Sequence, residues 1–438
     1  MLRVCTARSG PLRPDSTCTT EAPRHRRLGC VRIVYIHQHF NFPWESGWQR
    51  PWQFARRLAR AGHEVTVICG GREKMHQELE GVTIRRLAAP YENSMLFRQR
   101  VRSFISFMTQ ACYHASRVRA DVVFASSTPL TTAVPGIIAS RLRRVPFVFE
   151  VRDLWPEAPV ALGFLKSPLT IRAAEQLEKL AYRSAEHIIA LSPGMEAGIK
   201  RVRPQARTTV VPNASDVENF APGRQQRAEI RTELGWDPDE TVLFYAGSFG
   251  VTYDVPWLIR VAGELKSRGH NVRVVACGEG TDSTHCRSVA RQYGLDPQQV
   301  LPGKIPRTEI ERMLPAADFA VSTLVDSPAL EINSLNKVFD ALAAARPVLF
   351  NHGGWLPEML AEHDAGWQLS RSPAEAADQL ISKMDSGEID WSRASAAALY
   401  LAETAFDRDL LFQRFLGVLE SVLPASAGSR PQDAEPVG

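Results

Sequence analysis

Two runs of alternating strand and helix patterns, separated by a turn-rich connector, constrain the fold of this chain most strongly. The first begins with the buried-strand pattern Val31-Arg-Ile-Val-Tyr-Ile36 and ends with a strand near 208–211. A connector from Pro212 to Pro222 breaks the rhythm, which restarts with a strand at Thr241. Such alternation builds doubly wound parallel sheets, whose ligands bind at the carboxyl ends of the strands. We therefore predict an α/β protein with two successive domains facing one ligand cleft.

The predicted organisation has six parts. At 438 residues the chain is long for one domain and natural for two. We predict a disordered basic N-terminal segment (1–30), an N-terminal domain (31–212), a linker (213–240), a C-terminal domain (241–405), a C-terminal helix (406–424) and a loose tail (425–438).

Charge and cysteine usage exclude several classes of protein. The formal net charge is +4, and six arginines against Asp15 and Glu21 place that whole excess within residues 1–30. The remaining chain therefore lacks the basic bias of a nucleic-acid binder. Seven cysteines without CxxC spacing fit a reducing cytoplasm and predict no metal site. No apolar run is long enough to cross a bilayer, so we expect a cytoplasmic protein.

The stretch from Pro328 to Phe350 carries the most specific signal. It predicts a loop, a helix from about Ser334 to Ala345 and a short strand, with Ser334 as the helix N-cap. Lys337 falls in the first turn, where an acidic side chain would suit the helix dipole better. An external anion such as a diphosphate explains this lysine, and a surface helix with one unfavourable lysine is the alternative. Asp340, one turn later, has the position to accept hydrogen bonds from sugar or ribose hydroxyls.

Other loops at predicted strand ends carry further candidates. On the donor side these are Gly247 and Ser248 in the turn 247–250, Gly278 after the next strand, and Glu331 and Asn336 around Lys337. In the N-terminal half, Gly47 precedes a helix, so that a phosphate can approach its backbone. The two histidines His37 and His39 are candidate general bases, or structural loop residues.

Arg152 and Asp153 emerge directly from a buried strand, followed closely by Glu157. Arg152 is a candidate phosphate or carboxylate ligand, and Asp153 or Glu157 a candidate to orient a hydroxyl nucleophile. An Arg152–Asp153 pair that pins the loop explains the same residues equally simply.

The predicted helix 94–117 places Val101, Phe104 and Ile105 on an apolar face near Arg98, Arg100 and Arg102. This pattern is typical of a helix that contacts an anionic membrane surface, which would make the protein peripheral at the inner face of the plasma membrane. A core-facing helix with its arginines in solvent explains the spacing as well.

Five segments together resemble a known family. They are Gly62-His-Glu-Val-Thr-Val-Ile68, Glu150-Val-Arg-Asp-Leu-Trp-Pro156, Val211-Pro-Asn-Ala-Ser-Asp216, Tyr245-Ala-Gly-Ser248 and Asn336-Lys-Val-Phe-Asp-Ala-Leu-Ala-Ala344. The chain resembles retaining glycosyltransferases of family 4, and within them the WbuB-like branch that serves surface-polysaccharide and lipopolysaccharide assembly. The resemblance implies the GT-B fold of two facing Rossmann-like domains.

The resemblance also implies an activity. It implies metal-independent, hexosyltransferase-like transfer of a sugar, with retention, from a nucleotide-diphosphate donor to a glycan or polyprenyl-linked acceptor. No cofactor is implied, because the nucleotide sugar is a substrate. By position, Gly247 would lie near the diphosphate, Lys337 would neutralise it as the leaving group, and Asp340 would replace the ribose-binding acidic residue.

The sequence departs from the family pattern at three places, and at one of them Arg152 occupies the position after the strand where many relatives have a histidine. The usual acidic pair is two glutamates with seven residues between them, whereas here Ile332 occupies the first position and Glu331 lies one residue before it. The turn 247–250 is followed by Tyr253 and Asp254, where many relatives have basic residues.

Two alternatives to the transferase remain open at this point. The absence of basic residues after Gly247 leaves room for a non-catalytic nucleotide-sugar-binding partner. A sugar-nucleotide epimerase would use the same fold.

Overall fold

The computed structural model describes residues 29–42, 45, 50–91, 95 and 97–424. The predictions for Gly47, for most of segment 1–30 and for the tail 425–438 lie outside these residues. In the described part, no helix is both long and apolar enough to cross a membrane.

The described part of the N-terminal half forms one sheet of eight strands in the order β3-β4-β2-β1-β5-β6-β7-β8. The strands are β1 (Arg32–Ile36), β2 (Glu64–Gly71), β3 (Met75–Leu79), β4 (Val82–Ala88), β5 (Val122–Ser126), β6 (Phe147–Val151), β7 (His187–Ala190) and β8 (Thr208–Val210). All neighbours are parallel except β3 and β4. The central β1 is buried on both faces, as expected of a parallel sheet covered by helices.

The sequence prediction missed β3. It forms a hairpin with β4 through Glu80 and Gly81, which both adopt positive φ angles of 46° and 77°. Positive φ angles at both residues of a two-residue turn match the right-handed twist of the two strands. The sequence Glu-Gly is a weaker signal for such a hairpin turn than Asn-Gly, which is why the hairpin was missed.

Helices cover both faces of this sheet. They are α1 (Arg50–Arg60), α2 (Phe97–Ala115), α3 (Ala133–Arg143), α4 (Glu157–Ala161), α5 (Pro168–Ser184) and α6 (Pro193–Val202). The predicted linker 213–240 contains two short helices, α7 (Ala221–Gln225) and α8 (Arg227–Glu233).

The C-terminal half forms a parallel sheet, with five strands among the described residues, in the order β10-β9-β11-β12-β13. The strands are β9 (Thr241–Ala246), β10 (Val272–Cys277), β11 (Phe319–Ser322), β12 (Val348–Phe350) and β13 (Gly366–Gln368). The helices are α9 (Val255–Ser267), α10 (Ser283–Gln292), α11 (Pro297–Val300), α12 (Arg307–Met313), α13 (Pro328–Glu331), α14 (Asn336–Ala343), α15 (Trp355–Glu362), α16 (Pro373–Asp385), α17 (Trp391–Thr404) and α18 (Arg408–Val422).

The last helix, α18, returns to the N-terminal domain. Phe415 packs its ring 4.8 Å from that of Phe54 in α1 and 5.0 Å from that of Phe124 in β5, measured between centroids. The return segment pairs with the outgoing linker through a bridge between Ser215 and Asp407. The chain thus crosses between the domains twice at one place, which ties them together beside the cleft.

We predict that Phe415→Ala lowers the free energy of unfolding by about 3–5 kcal/mol, because it leaves a cavity where α18 docks. Urea denaturation followed by circular dichroism measures the change. Tyr400→Ala on the exposed face of α17 is the control, and it should stay within about 0.5 kcal/mol of the parent. Equal urea midpoints for the two variants would show that the packing of Phe415 in α18 does not stabilise the folded protein.

Candidate functional site

The carboxyl ends of the two sheets face each other across a narrow cleft. Near its base, Gly194 at the start of α6 packs against Ile332, whose Cγ2 lies 2.7 Å from the position of an added Cβ. Beside this contact, the backbone N–H of Asn213 donates to Ser334 Oγ at 2.9 Å. The predicted cleft between the domains is therefore present, and its C-terminal wall carries α13 and α14.

The Lys337 ammonium group lies on that wall without a carboxylate partner in the described part of the chain. Its Nζ donates to Tyr245 Oη at 2.8 Å and lies 4.0 and 3.9 Å from the ring centroids of Tyr245 and Tyr253. Burial lowers the pKa of Lys337 well below its ordinary value. Aromatic faces attract a desolvated cation but do not neutralise its charge. The described part of the chain therefore supplies Lys337 with aromatic and hydroxyl contacts but with no countercharge.

Gly247 lies beside Lys337. A Cβ at Gly247 would lie 3.2 Å from Lys337 Nζ and 3.1 Å from Tyr245 Oη. Tyr245 Oη also donates to the Ser248 carbonyl at 2.8 Å, so one hydroxyl links the lysine to the glycine turn. The absence of a side chain at Gly247 leaves the backbone and the ammonium group accessible to the same ligand atom.

Gly278 packs closely against the turn that contains Gly247. Its φ is +152°, and an added Cβ would lie 1.8 Å from the carbonyl oxygen of Gly247. The backbone N–H of Phe249 donates to the Glu279 carbonyl at 3.0 Å, which holds the two loops together. Gly278 thus contacts the predicted donor turn, and its Cα faces that turn.

The predicted N-cap was wrong. Helix α14 begins at Asn336 with Leu335 in the capping position, and no side chain caps it. The Ser334 hydroxyl instead accepts the bond from Asn213, whose side-chain amide also donates to the Ser334 carbonyl at 2.6 Å. Lys337 remains in the first turn, next to the exposed Asn336. Ser334 serves the contact between domains, which sequence periodicity does not reveal.

Asp340 is held in place by Arg307 and Ser215. Arg307 Nη2 and Ser215 Oγ donate to Asp340 Oδ1 at 2.8 and 2.7 Å, and Arg307 Nη1 donates to Oδ2 at 2.5 Å. Burial raises the pKa of Asp340, but the charge of Arg307 and these bonds outweigh it, so the pKa lies below its ordinary value. Asp340 is therefore ionised, and its four lone-pair directions leave room for a further donor.

Glu331 lies near the same wall but points elsewhere. Its Oε1 accepts the backbone N–H of Gly353 at 3.3 Å and faces Arg371 Nη2 at 3.5 Å. Ile332, at the position of the family's first glutamate, is packed against Gly194. Glu331, one residue before the family's glutamate position, thus makes different contacts from Ile332, which occupies that position.

The opposite wall carries a buried charged network around Glu150. Arg50 Nε and Nη2 donate to Glu150 Oε1 at 3.0 and 2.9 Å, and Ser126 Oγ donates to Oε2 at 2.6 Å. Arg152 Nη1 lies 3.9 Å from Glu150 Oε2, and the Arg152 backbone N–H donates to Ser127 Oγ. Burial raises the pKa of Glu150, but Arg50 and Arg152 outweigh it and lower the pKa below its ordinary value. Arg152 therefore lies within ion-pair distance of Glu150.

Asp153 lies close enough to Tyr253 of the C-terminal domain for its charge to act on the tyrosine hydroxyl. Burial raises the pKa of Asp153 against the opposing charge of Arg152. Its charge in turn adds to the effect of burial in raising the pKa of Tyr253, the ring that contacts Lys337. Asp153 and Lys337 are thus brought to the same region from different domains.

Two other N-terminal candidates have different environments. Glu157 is exposed and forms a surface ion pair with Arg201 at 3.1 Å. His37 is fully buried, and burial followed by the charge of Arg152 lowers its pKa well below the ordinary value. The same two causes lower the pKa of His39 to about 4, so both rings are neutral at pH 7.

Sequence analysis missed Arg50, Glu150, Tyr245 and Tyr253 as site residues. Glu150 gave the clearest signal, because it interrupts the apolar strand Phe147-Val-Phe-Glu-Val151. The cation contacts of the tyrosines depend on tertiary packing. Among the described residues, no group of three or more His, Cys, Asp or Glu side chains is placed to hold a metal ion.

Comparisons with known families match both halves of the chain. Residues 46–214 match the family described as "Glycosyl transferase 4-like domain". Residues 226–398 match the family described as "Glycosyl transferases group 1". Both halves of the chain are therefore similar to glycosyltransferase domains.

Two curated relatives cover part of the chain. The amylovoran biosynthesis glycosyltransferase AmsK of Erwinia amylovora is 22% identical over 36% of this chain and 39% of its own length. The lipopolysaccharide 1,2-N-acetylglucosaminetransferase of Salmonella typhimurium is 23% identical over 52% of this chain and 60% of its own. The matches thus span about two fifths and three fifths of these relatives.

Solved structures similar to this chain show the fold. Sucrose-phosphate synthase from Thermosynechococcus elongatus aligns with a TM-score of 0.68 at 18% identity, over 89% of this chain and 98% of the other. HepE from Anabaena, solved with UDP, aligns with a TM-score of 0.65 at 17% identity, over 89% and 100%. WaaG, a glycosyltransferase involved in lipopolysaccharide biosynthesis, aligns with a TM-score of 0.64 at 15% identity, over 88% and 99%. The predicted GT-B fold is confirmed.

The burial of Lys337 predicts a specific dependence of stability on pH. Its folded-state pKa lies below the ordinary 10.5, so the unfolded chain binds more protons between those two values. The stability of the parent relative to Lys337→Met should therefore increase as the pH rises toward 10.5. Melting temperatures of both proteins from pH 7 to 10 test this, with the exposed Lys266→Met as the control whose difference stays flat. If the melting-temperature difference between the parent and Lys337→Met also stayed constant from pH 7 to 10, the burial assigned to Lys337 would be contradicted.

Proposed function

We propose that this chain, whose two halves match the domain pair of a GT-B glycosyltransferase, transfers a sugar from a nucleotide-diphosphate donor to a glycan or polyprenyl-linked acceptor. The observation that carries the proposal is Lys337, which has no countercharge in the described part of the chain and lies beside Gly247, at the first turn of α14. A helix N-terminus and a lysine without a carboxylate partner together suit the two negative charges of a diphosphate.

The proposed chemistry uses this charge at the leaving group. As the bond between the anomeric carbon and the diphosphate oxygen breaks, negative charge develops on the diphosphate. Lys337 and the α14 N-terminus stabilise that charge without a metal ion, because they are fixed before the reaction begins. Asp340 accepts a ribose hydroxyl with its remaining lone-pair capacity, while Arg307 and Ser215 keep its carboxylate in position.

Asp153 is the proposed group on the acceptor side. Its charge acts on Tyr253, whose ring contacts Lys337, so we place the acceptor hydroxyl beside Asp153. Arg152 lies beside it, within ion-pair distance of Glu150, and supplies a second positive charge at the cleft. We propose retention of configuration, with the acceptor oxygen entering on the face from which the diphosphate leaves, in keeping with the resemblance to the retaining WbuB-like branch.

The proposed biological role is cell-surface polysaccharide or lipopolysaccharide synthesis in the cytoplasm. Similarity to the amylovoran biosynthesis glycosyltransferase AmsK and to the Salmonella lipopolysaccharide 1,2-N-acetylglucosaminetransferase supports it. HepE, which binds UDP in its solved structure, supports a nucleotide sugar as the donor.

One observation favours a second candidate, a non-catalytic binder of nucleotide sugars. Tyr253 and Asp254 stand after the glycine turn where many relatives have basic residues, and Asp254 caps α9 by accepting from the Trp257 N–H at 3.0 Å. A panel of nucleotide sugars separates the candidates. Release of nucleotide only with acceptor supports transfer, isomerised sugar supports an epimerase, and a thermal shift without turnover supports the binder.

We expect Lys337→Ala to lower turnover by about a hundredfold or more, because it removes one positively charged donor to the leaving group. The thermal shift produced by UDP should fall in the same variant, since binding to the native state alone raises the melting temperature. Lys266→Ala, an exposed lysine on α9, should keep both properties. Unchanged turnover in Lys337→Ala would refute the role given to this lysine.

We also propose that α2 places the enzyme on an anionic membrane surface. The structure puts Phe107 and Ala111 of α2 in the core, while Ile105 is 51% exposed and Tyr113 is 55% exposed. Arg98 and Arg102, four residues apart, are exposed on the same helix. Cations beside exposed apolar side chains suit the interface of an anionic bilayer.

Reversing both charges with Arg98→Glu and Arg102→Glu should weaken co-sedimentation with phosphatidylserine vesicles by about tenfold or more, because each cation near the surface contributes about 1 kcal/mol. The matched control is Arg287→Glu with Arg291→Glu, a pair with the same spacing on exposed positions of α10. Equal losses in the two double variants would assign the effect to net charge and refute a role for α2.

A further inference from the structure

Three aromatic rings meet at the carboxyl edge of the N-terminal sheet. His39 follows β1, Tyr91 follows β4, and Phe104 belongs to α2. The ring centroids of His39 and Tyr91 are 4.3 Å apart, those of Tyr91 and Phe104 are 5.6 Å apart, and those of His39 and Phe104 are 6.4 Å apart. Each of the three residues is half-buried, which leaves part of the group in contact with solvent.

This aromatic cluster lies next to the acceptor side of the cleft. Arg152 is close enough for its charge to lower the pKa of His39, and Asp153 is adjacent to Arg152 in sequence. Asp153 in turn acts on Tyr253, whose ring is 3.9 Å from Lys337 Nζ. His39 follows β1 and Arg152 follows β6, so both lie at the carboxyl edge of one sheet. Electrostatic influence and one ring contact link the cluster to the donor wall through Arg152, Asp153, Tyr253 and Lys337.

The chemistry of the cluster suits a carbohydrate ring. The face of an aromatic ring is electronegative, and the less polar face of a pyranose presents C–H groups of opposite polarity. A neutral His39 keeps the surface uncharged, and the Tyr91 hydroxyl can hydrogen-bond to sugar hydroxyls. A purely structural cluster would be expected to be buried more completely than these half-exposed residues.

We propose that His39, Tyr91 and Phe104 form a subsite that binds a pyranose ring of the acceptor, beyond the ring that receives the transferred sugar. The subsite rests on the proposed transfer reaction, because that reaction assigns the acceptor to the side of the cleft that carries Asp153. It goes beyond that reaction by assigning three residues that contact the acceptor without touching the reacting atoms.

Saturation-transfer NMR with methyl glycosides of glucose, galactose and N-acetylglucosamine tests the subsite on the full chain in the presence of UDP. At least one glycoside should receive saturation from the parent protein. Tyr91→Ala should weaken its binding about fivefold, the factor expected for losing one aromatic contact. Tyr91→Phe should retain the binding, because it keeps the ring.

Tyr113→Ala removes an exposed tyrosine elsewhere on α2 and is the control, expected to match the parent. The thermal shift by UDP is measured on the same samples, and it should be equal in all four proteins. Failure of every glycoside to bind the parent, or equal binding in Tyr91→Ala and Tyr113→Ala, would overturn the subsite. Loss of the UDP shift in the parent would instead contradict the proposed donor site, so the two failures are distinguishable.

Discussion

The rest of this site depends on Lys337, a partly buried lysine that has no carboxylate partner in the described part of the chain. Placing Lys337 in the first turn of α14 costs free energy twice, because the helix dipole repels a cation there and because burial removes water from it. The rings of Tyr245 and Tyr253 offset part of that cost. They do so without neutralising the charge, which a carboxylate would do. The site therefore retains its attraction for an anionic ligand, and Gly247 leaves space for that ligand beside the ammonium group.

The two tyrosines also bear on the missing basic residues after the glycine turn. Tyr245 links Lys337 to the Ser248 carbonyl, and so couples the position of the lysine to the position of the turn. A fixed cation stabilises a developing negative charge better than a mobile one, since no reorganisation is needed when the charge appears. A rigid single lysine is a physically sound substitute for several flexible basic side chains, and this favours the transferase over the non-catalytic binder.

The fold and the donor side of the site were largely predictable from sequence, and for one reason. Strand-to-helix alternation and the glycine at 247 are local patterns, and parallel-sheet topology brings the carboxyl ends of strands together without further information. Contacts made over long distances in sequence were not predictable. The sequence predicts Ser334 as a helix cap, whereas its hydroxyl accepts a hydrogen bond from Asn213. The Arg50–Glu150 pair joins residues a hundred positions apart. Nothing periodic in the chain encodes those partners.

Contacts between residues far apart in sequence also explain why the acidic residues before α14 differ from the family pattern. A hydrophobic Ile332 fits where the domains touch, because Gly194 leaves room for its side chain. A glutamate in that position would bury a carboxylate against an apolar contact, at a cost of several kcal/mol without a partner. Glu331, one residue earlier, finds Arg371 and the Gly353 N–H instead. The shift of the acid by one residue therefore accompanies the close approach of the domains at Gly194 and Ile332.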